Sequence, residues 1–246
     1  MILSSFKPSE LFGTKQIYFI FKPTLENYKF IFHQYPFLSY LRNSLVVTFT
    51  STFLSIVFGS LAGYSLARFK TGGEPLAFWV LSTRMLPPAA VIIPFFMIYM
   101  RAGLINTLFG LIIAYMVFNL SFVVWMTRSF FGEIPVELEE AAMLDGCSRL
   151  GAFIRVVLPL AKNGIAATAV FCVVFAWNEF LFALVLTTSE AAQTLPASVN
   201  RFITKYEIHW GPLYAESTLI IFPILIAALF MQRYLVRGLT LGALKG

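Results

Sequence analysis

Two groups of ionisable residues stand out in this 246-residue chain. Arg84 and Glu179 are isolated charges inside apolar runs, and Glu133, Glu137, Glu139, Glu140 and Asp145 crowd one polar stretch. Acid–base chemistry by Glu179 needs a proton partner within reach. Its apolar run offers no Asp, His or Ser at catalytic spacing. His33 and His209 lie far apart with no ligand cluster around either, so no metal centre is expected. The chain has no Gly-x-x-x-x-Gly-Lys-Ser/Thr loop and no Gly-Lys pair, so it lacks that device for holding ATP phosphates. Catalytic residues, metals and cofactors are therefore not expected. Cys147 and Cys172 read as free thiols, one in the polar stretch and one in an apolar run. What these residues can do is place charge. An ionised group within a membrane is costly unless paired or facing water, and carboxylates in a first helical turn complement the dipole.

The carboxylate stretch, residues 131–163, predicts two helices meeting at a corner. Pro135 suits the first turn of a helix, and the acidic residues behind it fit that helix's positive end. Gly146, next to Asp145, can end it in a left-handed conformation, and Ser148 can cap its successor. In the second helix Leu150, Phe153, Ile154, Val157 and Leu158 recur at helical spacing, with Arg149 and Arg155 off the stripe. Ala141 and Ala142 are small enough for another protein surface to approach the backbone. The corner reads as a docking elbow.

The same residues resemble the signature loop of permease subunits of binding-protein-dependent ABC importers. Glu140-Ala141-Ala142, three residues, Gly146, nine residues, Val156, one residue and Leu158-Pro159 reproduce its spacing, with Val156 where the family usually has Ile. Ala62-Gly63-Tyr64-Ser65-Leu66-Ala67-Arg68, Trp177-Asn178-Glu179-Phe180 and Arg237-Gly238-Leu239-Thr240 are similar to the carbohydrate branch, the maltose-type permeases. The resemblance covers essentially the whole chain. It implies an all-α membrane bundle with a family core of six spans. It implies an assembly of two permease subunits, two ATP-binding subunits and an external solute-binding protein that delivers a sugar. In that assembly Glu140, Ala141 and Gly146 would form the corner seated in an ATPase cleft, with Ala142 beside it. Asp145 would supply a polar contact or cap, and Leu158-Pro159 the return toward the membrane.

Composition independently predicts an integral membrane protein: 59% of residues are hydrophobic and 12% charged, against about 25% charged in an average soluble domain. Mean hydropathy is +0.79. A helix needs about 20 apolar residues to cross a bilayer. Five runs qualify, approximately 44–66, 78–100, 107–126, 164–188 and 217–236, giving one domain of five transmembrane helices. Pro87, Pro88 and Pro94 predict a kink or break in the second run. The net charge of +6 is dispersed, without a basic run, so nucleic acid is not an expected partner.

With the elbow in the cytoplasm, Arg68, Lys70, Arg128, Arg149, Arg155, Lys162, Arg233, Arg237 and Lys245 fall inside. Only Arg101, Arg201 and Lys205 fall in the external loops between spans, which satisfies the positive-inside rule. Lys7, Lys15, Lys22, Lys29 and Arg42 are then left on an external amino-terminal segment with nothing to carry it across. Met1-Ile2-Leu3 is read as the tail of a missing first span; the other reading is a five-span variant.

Arg84 either snorkels to headgroups or faces the passage. Asn178 and Glu179 either line the passage or hold subunits together, and Asn119 is a further amide inside a span. Trp79, Tyr99 and Tyr234 sit where interfacial aromatics belong. The external stretch 189–214 either meets the solute-binding protein or packs as a cap. The carboxy-terminal tail from Arg237 either reaches the ATPases or has no partner. The alternative function is a self-sufficient secondary transporter, for which more intramembrane carboxylates and paired broken helices are expected.

Overall fold

A computed structural model describes the backbone of residues 1–12 and 18–243, and the side chains of those as far as 226. Lys15, Lys245 and the side chains of Arg233, Tyr234 and Arg237 lie outside the described residues. The described chain is helical throughout, in the order α1 (Ile2–Ser5), α2 (Glu26–Gln34), α3 (Phe37–Phe69), α4 (Gly73–Ser82), α5 (Pro88–Arg101) and α6 (Leu108–Gly132). Then follow α7 (Glu137–Leu144), α8 (Arg149–Ala152), α9 (Leu158–Trp177), α10 (Leu181–Leu186), α11 (Leu195–Ser198) and α12 (Trp210–Ala243).

Among the described residues three helices are long and apolar enough to cross a membrane: Phe37–Phe69, Leu108–Gly132 and Arg149–Trp177. Gly73–Met85 and Pro88–Arg101 are long and apolar enough only when taken together, as a pair bent by 95° that forms a broken span or a re-entrant loop. The break falls at Leu86-Pro87, where proline withholds an N–H and pushes its predecessor out of the helical region. Pro88 then opens α5. The predicted fifth run lies within α12, whose apolar part Trp210–Ile226 is shorter than a span over the described residues.

The fourth run departs from its predicted limits of 164–188 at both ends. The helix begins at Arg149 and stops at Trp177. Pro159 starts no new helix; a π-helical turn over Phe153–Val157 runs into α9 and accommodates the missing N–H. At the far end Asn178 and Glu179 interrupt the helix, and residues 181–186 form the separate α10.

The residues pack as two compact units. The first comprises Met1–Val47, Ile92–Leu111 and Trp177–Leu229. Its core joins Ile31, Phe37, Tyr40, Trp177, Leu195, Phe202, Ala215 and Ile220. The stretch after Ser189 is a packed cap here. Asn43 Nδ2 donates to the carbonyls of Ala191 and Gln193 at 2.9 and 3.0 Å, and the Leu195 N–H donates to Ser44 Oγ at 2.8 Å. Arg201 stacks against Tyr35 and Tyr40, 4.5 and 4.3 Å from their ring centres. Tyr99 is buried in this unit, its ring stacked on Phe95 at 5.1 Å between ring centres.

The second unit comprises Thr48–Val91, Ile112–Ala176 and Phe230–Gly246. Its organising contact is α3 on α6. Ser55 Oγ donates to the Met116 carbonyl at 3.3 Å, and Gly59 and Gly63 lie against Val123 and Thr127 with no room for a Cβ. Small residues and hydroxyls let two membrane helices approach this closely where no water drives them together.

Candidate functional site

The elbow is built within the second unit. Glu137, Glu139 and Glu140 occupy the first turn of α7, as the helix dipole favours. The helix closes with the N–H groups of Asp145, Gly146 and Cys147 donating to the carbonyls of Ala141, Met143 and Ala142 at 3.0, 3.1 and 3.0 Å. Gly146 has φ +90°, a left-handed conformation that costs a residue with a Cβ. Ser148 Oγ accepts the Gly151 N–H at 3.1 Å and caps α8.

Its two faces differ. Inward, Phe131, Phe153, Val157 and Ala161 form a buried cluster, with Tyr64, Ala67 and Leu158 packed around it. Outward, Glu140, Ala141, Asp145 and Gly146 are exposed, and Ala142 is half-buried. Leu144 is 89% exposed, and Leu138, Leu150 and Ile154 are exposed too. The predicted single apolar stripe of the second helix is therefore split, because the π turn rotates Phe153 and Val157 inward while Leu150 and Ile154 face out. Leu158 joins the core edge and Pro159 is exposed, both within the continuous helix that leads away from the elbow.

Sequence reasoning missed the residue that holds the elbow down. Glu139 is only 4% exposed. It accepts from Arg68 Nε at 2.5 Å and from the Tyr64 hydroxyl at 2.5 Å, and Arg68 Nη2 donates to the Ile134 carbonyl at 2.8 Å. The signal was present: Tyr64 and Arg68 lie four apart, on one face of a helix, facing a carboxylate one residue before the Glu-Ala-Ala triplet.

The intramembrane candidates are divided between the two units. In the second unit, Arg84 is the middle residue of the 3₁₀ turn Thr83–Met85 before the break between α4 and α5, its guanidinium 4.7 Å from the Phe122 ring centre and 4.5 Å from that of Phe175. Asn119 is buried and donates to the Cys172 carbonyl at 3.2 Å, binding α6 to α9. In the first unit, Glu179 lies in the break after α9, outside the long helix predicted for it. Its carboxylate accepts the N–H groups of Phe182 at 3.1 Å and Ala183 at 3.2 Å, capping α10. Asn178 is exposed and, with Phe180, Pro196, Asn200 and Ser217, lines a cavity of about 280 Å³. Among the described residues no His, Cys, Asp and Glu group could hold a metal.

A family model described as "Binding-protein-dependent transport system inner membrane component" matches residues 55–241, most of this chain and all of the elbow. The chain belongs to that family. It is a permease subunit of an ABC importer, an inner-membrane protein and not itself an enzyme. The diacetylchitobiose uptake system permease protein of Streptomyces coelicolor is 36% identical over 248 residues, covering 100% of this chain and 90% of the relative. The trehalose/maltose transport system permease protein of Thermococcus litoralis is 36% identical over 230 residues, covering 92% of this chain and 83% of the relative. The crystal structure of a bacterial ABC transporter that imports alginate shares the permease fold, with TM-score 0.78 at 22% identity over 95% of this chain and 88% of that one.

Proposed function

We propose that this permease subunit pairs with a second permease subunit and with two ATP-binding subunits. It passes a sugar or related solute handed over by an external solute-binding protein. The elbow then lies on the cytoplasmic side and seats in an ATP-binding subunit. The observation that carries this reading is the division of the elbow into a locked inner face and an outer face with an exposed apolar tip, Leu144, flanked by Glu140 and Asp145. Such a tip is unsuited to water, and the charges beside it are unsuited to lipid; a protein cleft accommodates both. The excess of Lys and Arg on the elbow's side of the spans supports the cytoplasmic orientation, and the missing phosphate loop supports a separate source of ATP hydrolysis. The names of the Streptomyces and Thermococcus relatives, both sugar permeases, support the solute class.

Arg84, lying against two rings, and Asn178, beside Phe180 and Asn200, are the proposed solute-facing groups. Asn119 and Glu179 are proposed to hold the helices of their own units in shape. The test is Gly146→Pro or Ala142→Trp in the assembled transporter. Both variants should fold and insert, yet ATP should no longer drive uptake. Normal uptake in both variants would remove the elbow from the mechanism. Solute movement along an ion gradient with no ATP-binding subunit present would favour the secondary transporter instead.

A further inference from the structure

The elbow touches α3 at more than one place. Glu139 of α7 binds Arg68 and Tyr64, with side-chain exposures of 8% for Arg68 and 6% for Glu139. Phe153, in the π turn, packs on the Tyr64 ring at 4.5 Å between ring centres. Arg149, opening α8, stacks over Phe69 at 5.4 Å. Arg68 also binds the Ile134 carbonyl, in the corner that leads into α7. Both helices of the elbow and its incoming corner are thus fastened to the same last turns of α3. The ring contacts of Phe153 and Arg149 tolerate sliding. The ionic contact does not, because a buried carboxylate–guanidinium pair is held in one geometry by the cost of leaving either charge unpaired.

We propose that Glu139 is a positioning residue for energy coupling, a latch that makes the end of α3 move with α7. On the reading given above, on which this inference rests, closure of the ATP-binding subunits displaces the elbow. Chain continuity from α8 through the π turn delivers that displacement to α9. The latch delivers it to α3 as well, through two hydrogen bonds to one carboxylate. Glu139 touches neither solute nor nucleotide; it acts through Arg68 and Tyr64.

The experiment uses the complete transporter in proteoliposomes. It measures solute taken up per ATP hydrolysed, together with cross-linking of Cys147 to the ATP-binding subunit. Cys147 is half-buried on the elbow and makes no contribution to the latch. Glu139→Gln keeps the shape and removes the charge. Cross-linking should match the unmodified protein, while uptake per ATP falls by about tenfold or more, the scale of one lost charge-assisted hydrogen bond. Tyr64→Phe removes one bond only and should lower the ratio by about threefold. The exchange Arg68→Glu with Glu139→Arg should recover part of the loss, as paired residues do in a double-mutant cycle. An unchanged ratio in Glu139→Gln would overturn the latch, as would loss of the cross-link in step with uptake, since Glu139 would then only shape the elbow. Failure of Cys147 to cross-link in the unmodified transporter would instead overturn the docking reading beneath it. Were Glu139→Gln not to accumulate, Tyr64→Phe carries the same two outcomes.

Discussion

Gly63 of α3 lies against Thr127 of α6 so closely that a Cβ on the glycine would collide with the threonine Oγ1. One turn earlier, Thr127 donates to the Gly59 carbonyl at 3.3 Å. Replacing Gly63 by leucine should therefore pry the helices apart, at about 1–3 kcal/mol for an overpacked contact. The expected result is reduced thermal stability of the purified permease and reduced accumulation in membranes. Gly132, where an added Cβ would meet nothing within 4 Å, should accept alanine without either change.

Gly146 offers the opposite situation, since nothing stands within 4 Å of an added Cβ and only φ +90° restricts it. A β-branched side chain in the left-handed region costs about 1–2 kcal/mol, whereas asparagine enters it more readily. Uptake assays should show Gly146→Val impaired and Gly146→Asn close to normal, with equal membrane abundance. Equal activity of the two variants would mean that the elbow's closing turn is not needed in this form.

Glu179→Leu should release two backbone N–H groups at the start of α10, a loss of about 1 kcal/mol by analogy with other capping side chains. Hydrogen exchange should rise locally at Phe182 and Ala183, and uptake should fall. Glu179→Gln retains an acceptor and should be milder on both measures. A leucine variant with normal uptake would leave Glu179 without a functional role.

For Arg84 the two replacements to compare are lysine and leucine. The planar guanidinium against Phe122 and Phe175 contributes about 1–2 kcal/mol of cation–π attraction, which lysine matches only in part. If the residue serves the passage, Arg84→Leu should reduce uptake while abundance and Cys147 cross-linking stay unchanged. Parallel loss of abundance would mark a packing residue.

Much of this architecture was legible from residues. The run of Pro87, Pro88 and Pro94 announced a break, and the structure bends there by 95°. The apolar runs 44–66 and 107–126 overlap α3 and α6. The ends of the fourth misled because hydropathy treats Leu181–Leu186 as a continuation of α9, while Asn178 and Glu179 offer the chain a competing cap. Pro159 is absorbed without a break because the turn before it widens. Glu139 was hidden among other carboxylates. Only three-dimensional pairing distinguishes the one that meets Arg68 from its neighbours that meet water. Ser51, Ser55, Gly59, Gly63 and Ala67, a small residue at every fourth position of α3, could have been noticed as a close-packing face.

The widened turn at Phe153–Val157 has a further consequence. A π turn accommodates one residue more than an α turn, and each residue advances a helix by about 100°. It therefore sets the angular phase between Leu150, at the exposed tip, and everything from Leu158 onward. Deleting a single residue there would leave the rod intact and its hydropathy unchanged, yet swing the tip through more than a quarter of a revolution. Length in this short stretch is thus a dial for the direction in which the tip points.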